Sequence, residues 1–144
     1  MHQLLLAKAK EDPSLVWPRG QVRFMRSSSS SLAPTVLREL EAVFAAPVAE
    51  AYSMTEASHM MTTNPLPPGE RIPGTVGLPA GVELAVLDSS DKPVAPGAVG
   101  EVCVRGENVT LGYRNNPEAN ASAFSSGWFH TGDQVRGADP AVGS

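Results

Sequence analysis

Two short runs, far apart in the chain, hold the side chains with the most chemistry to offer: Tyr52-Ser53-Met54-Thr55-Glu56 and Gly127-Trp128-Phe129-His130-Thr131-Gly132-Asp133. Each ends in a carboxylate placed directly after a threonine or a glycine. An aromatic ring can stack on a base, and a hydroxyl can bond phosphate. One carboxylate can hold Mg²⁺ while another accepts from a ribose diol. The pair therefore reads as two pieces of a nucleotide site that folding must bring together. Gly132 lacks a Cβ, which permits a tight turn and a close ligand approach beside Asp133. Taken singly, each residue also has a plain structural reading: a core tyrosine, a solvent-facing glutamate, an aspartate satisfying turn amides.

The elements that must position these residues follow from periodicity. Residues 2–11 predict a helix with Leu5 and Ala9 on one face and Pro13 at the exit. Val22 to Met25 alternates apolar residues with arginine and predicts a short strand, followed by the serine tract Ser27 to Ser31 as a loop. Pro34 suits a first helical turn, and Val36, Leu37, Leu40, Val43 and Phe44 at helical spacing predict a helix over 34–45. Val48 to Tyr52 predicts another strand. This strand–loop–helix–strand order is that of a βαβ crossover with two parallel strands. The serine loop and the loop after Tyr52 should then open on the same sheet edge, where ligands of open α/β sheets collect.

Beyond Asn64 the grammar changes. Pro65, Pro67, Pro68, Gly69, Pro73 and Gly74 break regular structure, and a subdomain boundary is expected there. Residues 83–87 and 99–105 predict strands around the turn cluster 88–93, so 70–113 should be mainly antiparallel β, with a short helix from Asn116 toward Phe124. Arg19, Arg23 and Arg26 read as a solvated edge rather than a phosphate clamp.

Composition sets the limits. The 144 residues carry 11 Lys+Arg against 15 Asp+Glu, a formal charge of −4 that offers no footprint for nucleic acid or an anionic membrane. Thirteen Gly and 13 Pro favour turns over long helices. The N-terminal apolar run is too short for a signal peptide, and no stretch is long and apolar enough to cross a bilayer. Cys103, the single cysteine, lies between Val102 and Val104 and reads as a buried, inert thiol; with His2, His59 and His130 scattered, no usual zinc-ligand spacing exists. Asn108-Val109-Thr110 and Asn120-Ala121-Ser122 match the glycosylation sequon by chance. No Walker A loop is present to cradle a triphosphate.

These runs, in this order, resemble the adenylate-forming acid–CoA ligases, or AMP-dependent synthetases. The resemblance extends from about His2 to Asp133. YSMTE at 52–56 is similar to the family's Tyr-Gly-x-Thr-Glu, with Ser53 in place of the usual glycine. PGTVGLP at 73–79, GEVCVRG at 100–106, LGYRNNPEAN at 111–120 and GWFHTGD at 127–133 resemble further family signatures. RSSSSSLAP at 26–34, EAYSMTEASHMMTTNPLP at 50–67 and GYRNNPEANASAF at 112–124 tilt the likeness toward the oxalate–CoA ligase branch. Luciferases, aryl or fatty acid ligases and peptide-synthetase domains share the YxxTE and TGD elements.

The resemblance implies an α/β fold, a fragment of an adenylate-forming N-terminal domain. Residues 1–64 would belong to the α/β AMP-binding subdomain, 65–135 to a β-rich, distorted barrel-like subdomain, and 136–144 would be an atypical tail. It implies ATP, Mg²⁺ and coenzyme A, and a small-molecule carboxylate as partner. Tyr52 would stack on adenine and Thr55 would bond phosphate oxygens. Glu56 would bind Mg²⁺, Asp133 would hold the ribose hydroxyls, and Ser28, Ser29, Ser30 and Ser31 would line the adenine and acyl pockets. His59 and Ser30 are candidates for the far carboxylate of an acid such as oxalate, which needs donors or positive charge. The family's phosphate loop and its C-terminal domain, with the lysine that contacts the reacting carboxylate, have no counterpart here. The chain alone is therefore expected to be inactive, or to act as a non-catalytic module that binds AMP, the missing domain or a full-length relative. A cytoplasmic location is expected, with the peroxisome as alternative.

Overall fold

A computed structural model describes residues 1–28 and 30–137. Among them the chain is α/β and divides into two units, Met1–Ser53 with Thr62–Ala80, and Met54–Met61 with the chain from Gly81 onward.

The first unit holds helix α1 (His2–Glu11), strand β1 (Met25–Ser27), helix α2 (Pro34–Phe44), strand β2 (Val48–Tyr52), and the two-residue strands β3 (Thr62–Thr63) and β4 (Leu78–Pro79). The sheet order is β1-β2-β3-β4, with β1 parallel to β2 and the later pairs antiparallel. The expected crossover through α2 is present. Proline at its first turn suits α2, since that position has no amide to satisfy, and Leu37, Leu40 and Phe44 supply the buried stripe. They form a core with Leu6, Ala9, Leu32 and Val48.

Two details differ from the sequence reading. The buried residues of α1 are Leu6 and Ala9, while Leu5 is exposed, so the helix is rotated by one position. Strand β1 starts at Met25, not Val22, because the pairing register sets Met25 against Val48 and leaves Phe24 exposed. A Cβ on Gly77 (φ +81°) would lie 2.2 Å from the backbone of Thr63 and Asn64, so the second glycine of PGTVGLP is demanded by a close chain approach.

The second unit holds strands β5 (Glu83–Leu87) and β6 (Val99–Arg105), the short helix α3 (Pro117–Ala123), and strands β7 (Phe124–Ser125) and β8 (Trp128–Arg136). They form an antiparallel sheet in the order β5-β6-β8-β7, a β-rich portion of the α/β fold. Leu87, Val102, Val104 and Phe129 are buried, as is Cys103, which has no exposed surface. Strand β8 is an addition to the sequence reading, which assigns no element over 127–133 and expects a tight turn at Gly132. It extends through Gln134–Arg136; residues 138–144, most of the expected atypical tail, lie outside the described residues. No helix among the described residues is long and apolar enough to cross a membrane.

Candidate functional site

In the first unit, β1 and β2 run parallel, so Ser28 and Tyr52 stand at the carboxyl ends of neighbouring strands. Ser28 is half-buried, and its Oγ accepts a 3.1 Å hydrogen bond from Arg26 Nη1. Arg26 is thereby tied to the serine loop instead of lying on a solvated edge, and His2 Nε2 reaches its carbonyl at 3.1 Å. Ser30 and Ser31 are exposed, Tyr52 is half-buried, and Ser29 lies outside the described residues.

The same unit contains a cleft of about 50 Å³ lined by Glu41, Glu50, Asn64, Arg71 and Ile72 among others. None of these is a candidate residue, and the cleft is far below the ~300–1,000 Å³ of a small-molecule site. Its polar groups are occupied structurally. Glu41 Oε1 accepts from Val48 N (2.9 Å) and Arg71 Nη2 (3.0 Å), and Glu50 Oε2 accepts from Gly74 N (2.7 Å). Asn64 donates to the carbonyls of Glu50 and Thr75 and accepts from Ile72 N. Together these bonds fasten residues 71–75 to Asn64, β2 and α2.

The second unit carries Thr55, Glu56, His59 and Asp133. Thr55–Ala57 is a single 3-10 turn, followed by Ser58 and His59 with φ near +53° and +56°. Thr55 and His59 are exposed and Glu56 is half-buried. This irregular backbone is clamped by residues 106–113. Thr110 N donates to Glu56 O (2.7 Å) and Ser58 Oγ donates to Asn108 O (3.0 Å). Asn108 Nδ2 donates to both Ala57 O (3.2 Å) and Met60 O (3.0 Å). Tyr113 Oη donates to Glu56 Oε1 at 2.9 Å, and that bond holds its phenol above the ordinary tyrosine range. Asn120 in turn fixes Tyr113, accepting from its N (2.6 Å) and donating to its O (2.9 Å).

Asp133 sits in a bulge. Between the pairs Glu101↔Gln134 and Cys103↔His130, β6 advances by one intervening residue while β8 carries Thr131, Gly132 and Asp133. Gly132 takes φ +76°, as the sequence reading of a tight turn requires. Glu101 holds the bulge, its Oε1 accepting from Gly132 N (2.8 Å) and its Oε2 meeting His130 Nδ1 at 2.9 Å. Thr131 Oγ1 donates to Val102 O (2.8 Å) and accepts from Asp133 N (3.1 Å).

Sequence reasoning missed this supporting set: Asn108, Tyr113, Asn120, Glu101 and His130. The signal for Tyr113 and Asn120 was present in LGYRNNPEAN. Asn108 falls in a run that matches the glycosylation sequon, yet its amide is engaged inside the unit. Cys103 is buried as expected, its thiol pushed up to about 11 by burial and then by the nearby charges of Glu101 and Asp91. The sequence offers no usual zinc-ligand spacing, yet strand pairing brings Glu101, Cys103 and His130 within 4.8 Å of one another. Local spacing could not show this; the residues are neighbours through register, not through sequence.

A family model described as AMP-binding enzyme matches residues 1–114. An oxalate–CoA ligase of Saccharomyces cerevisiae is 59% identical over 81% of this chain and 22% of its own length. An oxalate–CoA ligase of Arabidopsis thaliana is 52% identical over 92% of this chain and 26% of its own length. The chain thus spans about a quarter of the length of these curated relatives. Among solved structures, a malonyl-CoA ligase complex with methylmalonyl-CoA and AMP superposes with a TM-score of 0.79 at 34% identity, covering 97% of this chain and 30% of that one. An anthranilate CoA ligase with anthranoyl-AMP gives 0.72 at 30% identity, covering 78% and 22%.

Proposed function

Because the chain belongs to the AMP-binding enzyme family, we propose that its residues form the adenine-, ribose- and metal-handling portion of an ATP-dependent acid–CoA ligase acting on oxalate or another small acid. The observation that carries this reading is the 52–59% identity to oxalate–CoA ligases, across 81–92% of this chain. In the proposed reaction a carboxylate oxygen of the acid attacks the α-phosphorus of ATP, pyrophosphate departs, and an acyl-adenylate forms. The sulfur of coenzyme A then attacks the acyl carbon, its proton is lost, and AMP leaves. No protein side chain need form a covalent bond, so binding and orientation supply the catalysis.

The assigned roles are these. Tyr52 stacks on adenine, with the hydroxyls of Ser28, Ser30 and Ser31 lining the base and acyl pockets. Thr55 donates to phosphate oxygen, Asp133 accepts from the ribose hydroxyls, and His59 with Ser30 faces the far carboxylate of the acid. Glu56 would hold Mg²⁺, since its half-buried carboxylate offers the hard oxygen donor that this ion takes. When bound, that ion neutralises phosphate charge. Tyr113 holds Glu56 in position from the protein side.

For the chain by itself the proposal is AMP binding without useful turnover, because it spans only about a quarter of its relatives' length. Calorimetry with AMP tests the first part. Wild-type chain should release binding heat, and Asp133→Ala should weaken the affinity by about 10–100-fold, the scale of losing hydrogen bonds to a charged acceptor. Equal binding by both proteins, or none by wild type, would refute the assignment. An assay of pyrophosphate release with ATP, Mg²⁺, oxalate and coenzyme A tests the second part, and robust turnover refutes it.

A further inference from the structure

The cluster beneath the Asp133 bulge has the make-up of a second, different metal site. Strand pairing sets Cys103 directly opposite His130, and Glu101 lies two residues along β6, so alternation places all three side chains on one face of the sheet. Cys103 Sγ lies 3.4 Å from His130 Nδ1, Glu101 Oε2 lies 2.9 Å from the same nitrogen, and all three donor atoms fall within 4.8 Å. Bond lengths of about 2.0–2.3 Å in a tetrahedral zinc site put pairs of ligand atoms about 3.3–3.8 Å apart. The cluster therefore needs shifts of tenths of an ångström to about 1 Å to close around an ion.

Two further features point the same way. His130 Nε2 is buried, makes no hydrogen bond among the described residues, and lies 3.6 Å from Asp91 Oδ1. A carboxylate behind the free nitrogen is the arrangement that orients metal-bound histidines. Asp91 is itself held by the hydroxyls of Ser125 (2.9 Å) and Ser126 (2.5 Å). The Glu101 side chain is 31% exposed, which gives an ion its route in and leaves room for water as fourth ligand.

We propose that Glu101, Cys103 and His130 bind a zinc-class divalent transition-metal ion, with Asp91 orienting the imidazole. On binding, the thiol proton passes to solvent and His130 carries its single proton on Nε2, facing Asp91. The donors are softer than those at Glu56, and none of the three ligands is an assigned nucleotide contact, so the inference stands apart from the proposed ligase reading. Because Glu101 also secures Gly132 N through its other oxygen, the ion would brace the bulge that carries Asp133.

Cobalt(II) titration of the full chain, without nucleotide, is the test. Cys103 is the sole cysteine, so a sulfur-to-cobalt charge-transfer band can only report this thiol. The expected result is saturation at one ion per chain, with that band and the strong visible bands of a tetrahedral site, both lost when Zn²⁺ displaces the cobalt. Asp91→Asn should weaken binding by about 10–100-fold, the scale of removing an outer-shell partner. A wild-type spectrum with only weak octahedral bands and no sulfur band would overturn the proposal. So would bands that persist in Cys103→Ala, checked as folded by circular dichroism. The wild-type spectrum decides the matter even if a variant fails to fold.

Discussion

The turn bearing Glu56 and the bulge bearing Asp133 both present a carboxylate from irregular backbone, and they are held by opposite means. Thr55–Ala57 is a free-standing 3-10 turn, clamped by a second loop through neutral amides and hydroxyls: Thr110 N, Asn108, Ser58 and Tyr113. The bulge is part of a strand, so ladder pairs at Cys103↔His130 and Glu101↔Gln134 fix its two ends and only its middle needs support. That support is ionisable, coming from Glu101 and, behind it, His130 and Asp91. A carboxylate set on a loop thus needs another loop to fix it, whereas one set on a strand needs only a bulge and a side chain beneath. Placing functional groups on regular elements gives the more precise presentation.

The largest expected effect follows from breaking the clamp. Asn108→Ala removes the donor shared by Ala57 O and Met60 O and leaves Ala57, itself buried, with a less satisfied carbonyl. A loss of about 2–3 kcal/mol in chemical denaturation is expected for two such bonds. Gly132→Ala should cost less, about 1–2 kcal/mol. No atom lies within 4 Å of the added Cβ, so only the left-handed backbone is penalised. A loss as large as that of Asn108→Ala would mean that the bulge is no better secured than the turn. Tyr113→Phe removes a single hydroxyl bond to Glu56 and should cost about 0.5–1.5 kcal/mol. Its distinctive signature is lost protection of the Thr110 amide in hydrogen exchange, with the strand amides unchanged.

How legible these regions were in the sequence follows from the range of the forces involved. Strand β2 and helix α2 were readable because their apolar spacing is local and the core obeys it, with Leu37, Leu40, Phe44 and Val48 all buried. Strand β8 was not, because Gly132 and Asp133 interrupt the alternation that marks a strand and look like a turn. The bulge reconciles the two, letting the turn chemistry sit inside the ladder. The exposed face of α1 was misread at Leu5 for a similar reason: a short helix rich in leucine and alanine does not say which apolar face meets the core. The Glu101–Cys103–His130 cluster lay beyond any spacing rule, since 27 residues separate Cys103 from its cross-strand partner. Half of it, Glu101 and Cys103 at period two within GEVCVRG, was visible; the other half required the register.

The smallest effect separates the two supports by pH. Asp91 is held below the usual carboxylate range by hydrogen bonds from Ser126 and Ser125, with burial opposing and the His130 charge adding slightly. A carboxyl whose folded pKa is depressed contributes stability that is complete above its ordinary value of 3.8 and is lost as pH falls through the lower folded value. Acidification should therefore loosen the β7–β8 hairpin and the strand beneath the bulge, where Glu101 and His130 are the other ionisable side chains nearby. The clamp on the Glu56 turn is built from neutral amides and hydroxyls and includes no such carboxylate among its supports. Asp91→Asn should lower stability modestly at neutral pH and match wild type once the pH lies well below 3.8. Denaturation midpoints of the two proteins across that window give the measurement. A difference that stays constant through acid would mean that Asp91 supports the hairpin by shape alone, and the ionic character assigned to this side of the comparison would have to be withdrawn.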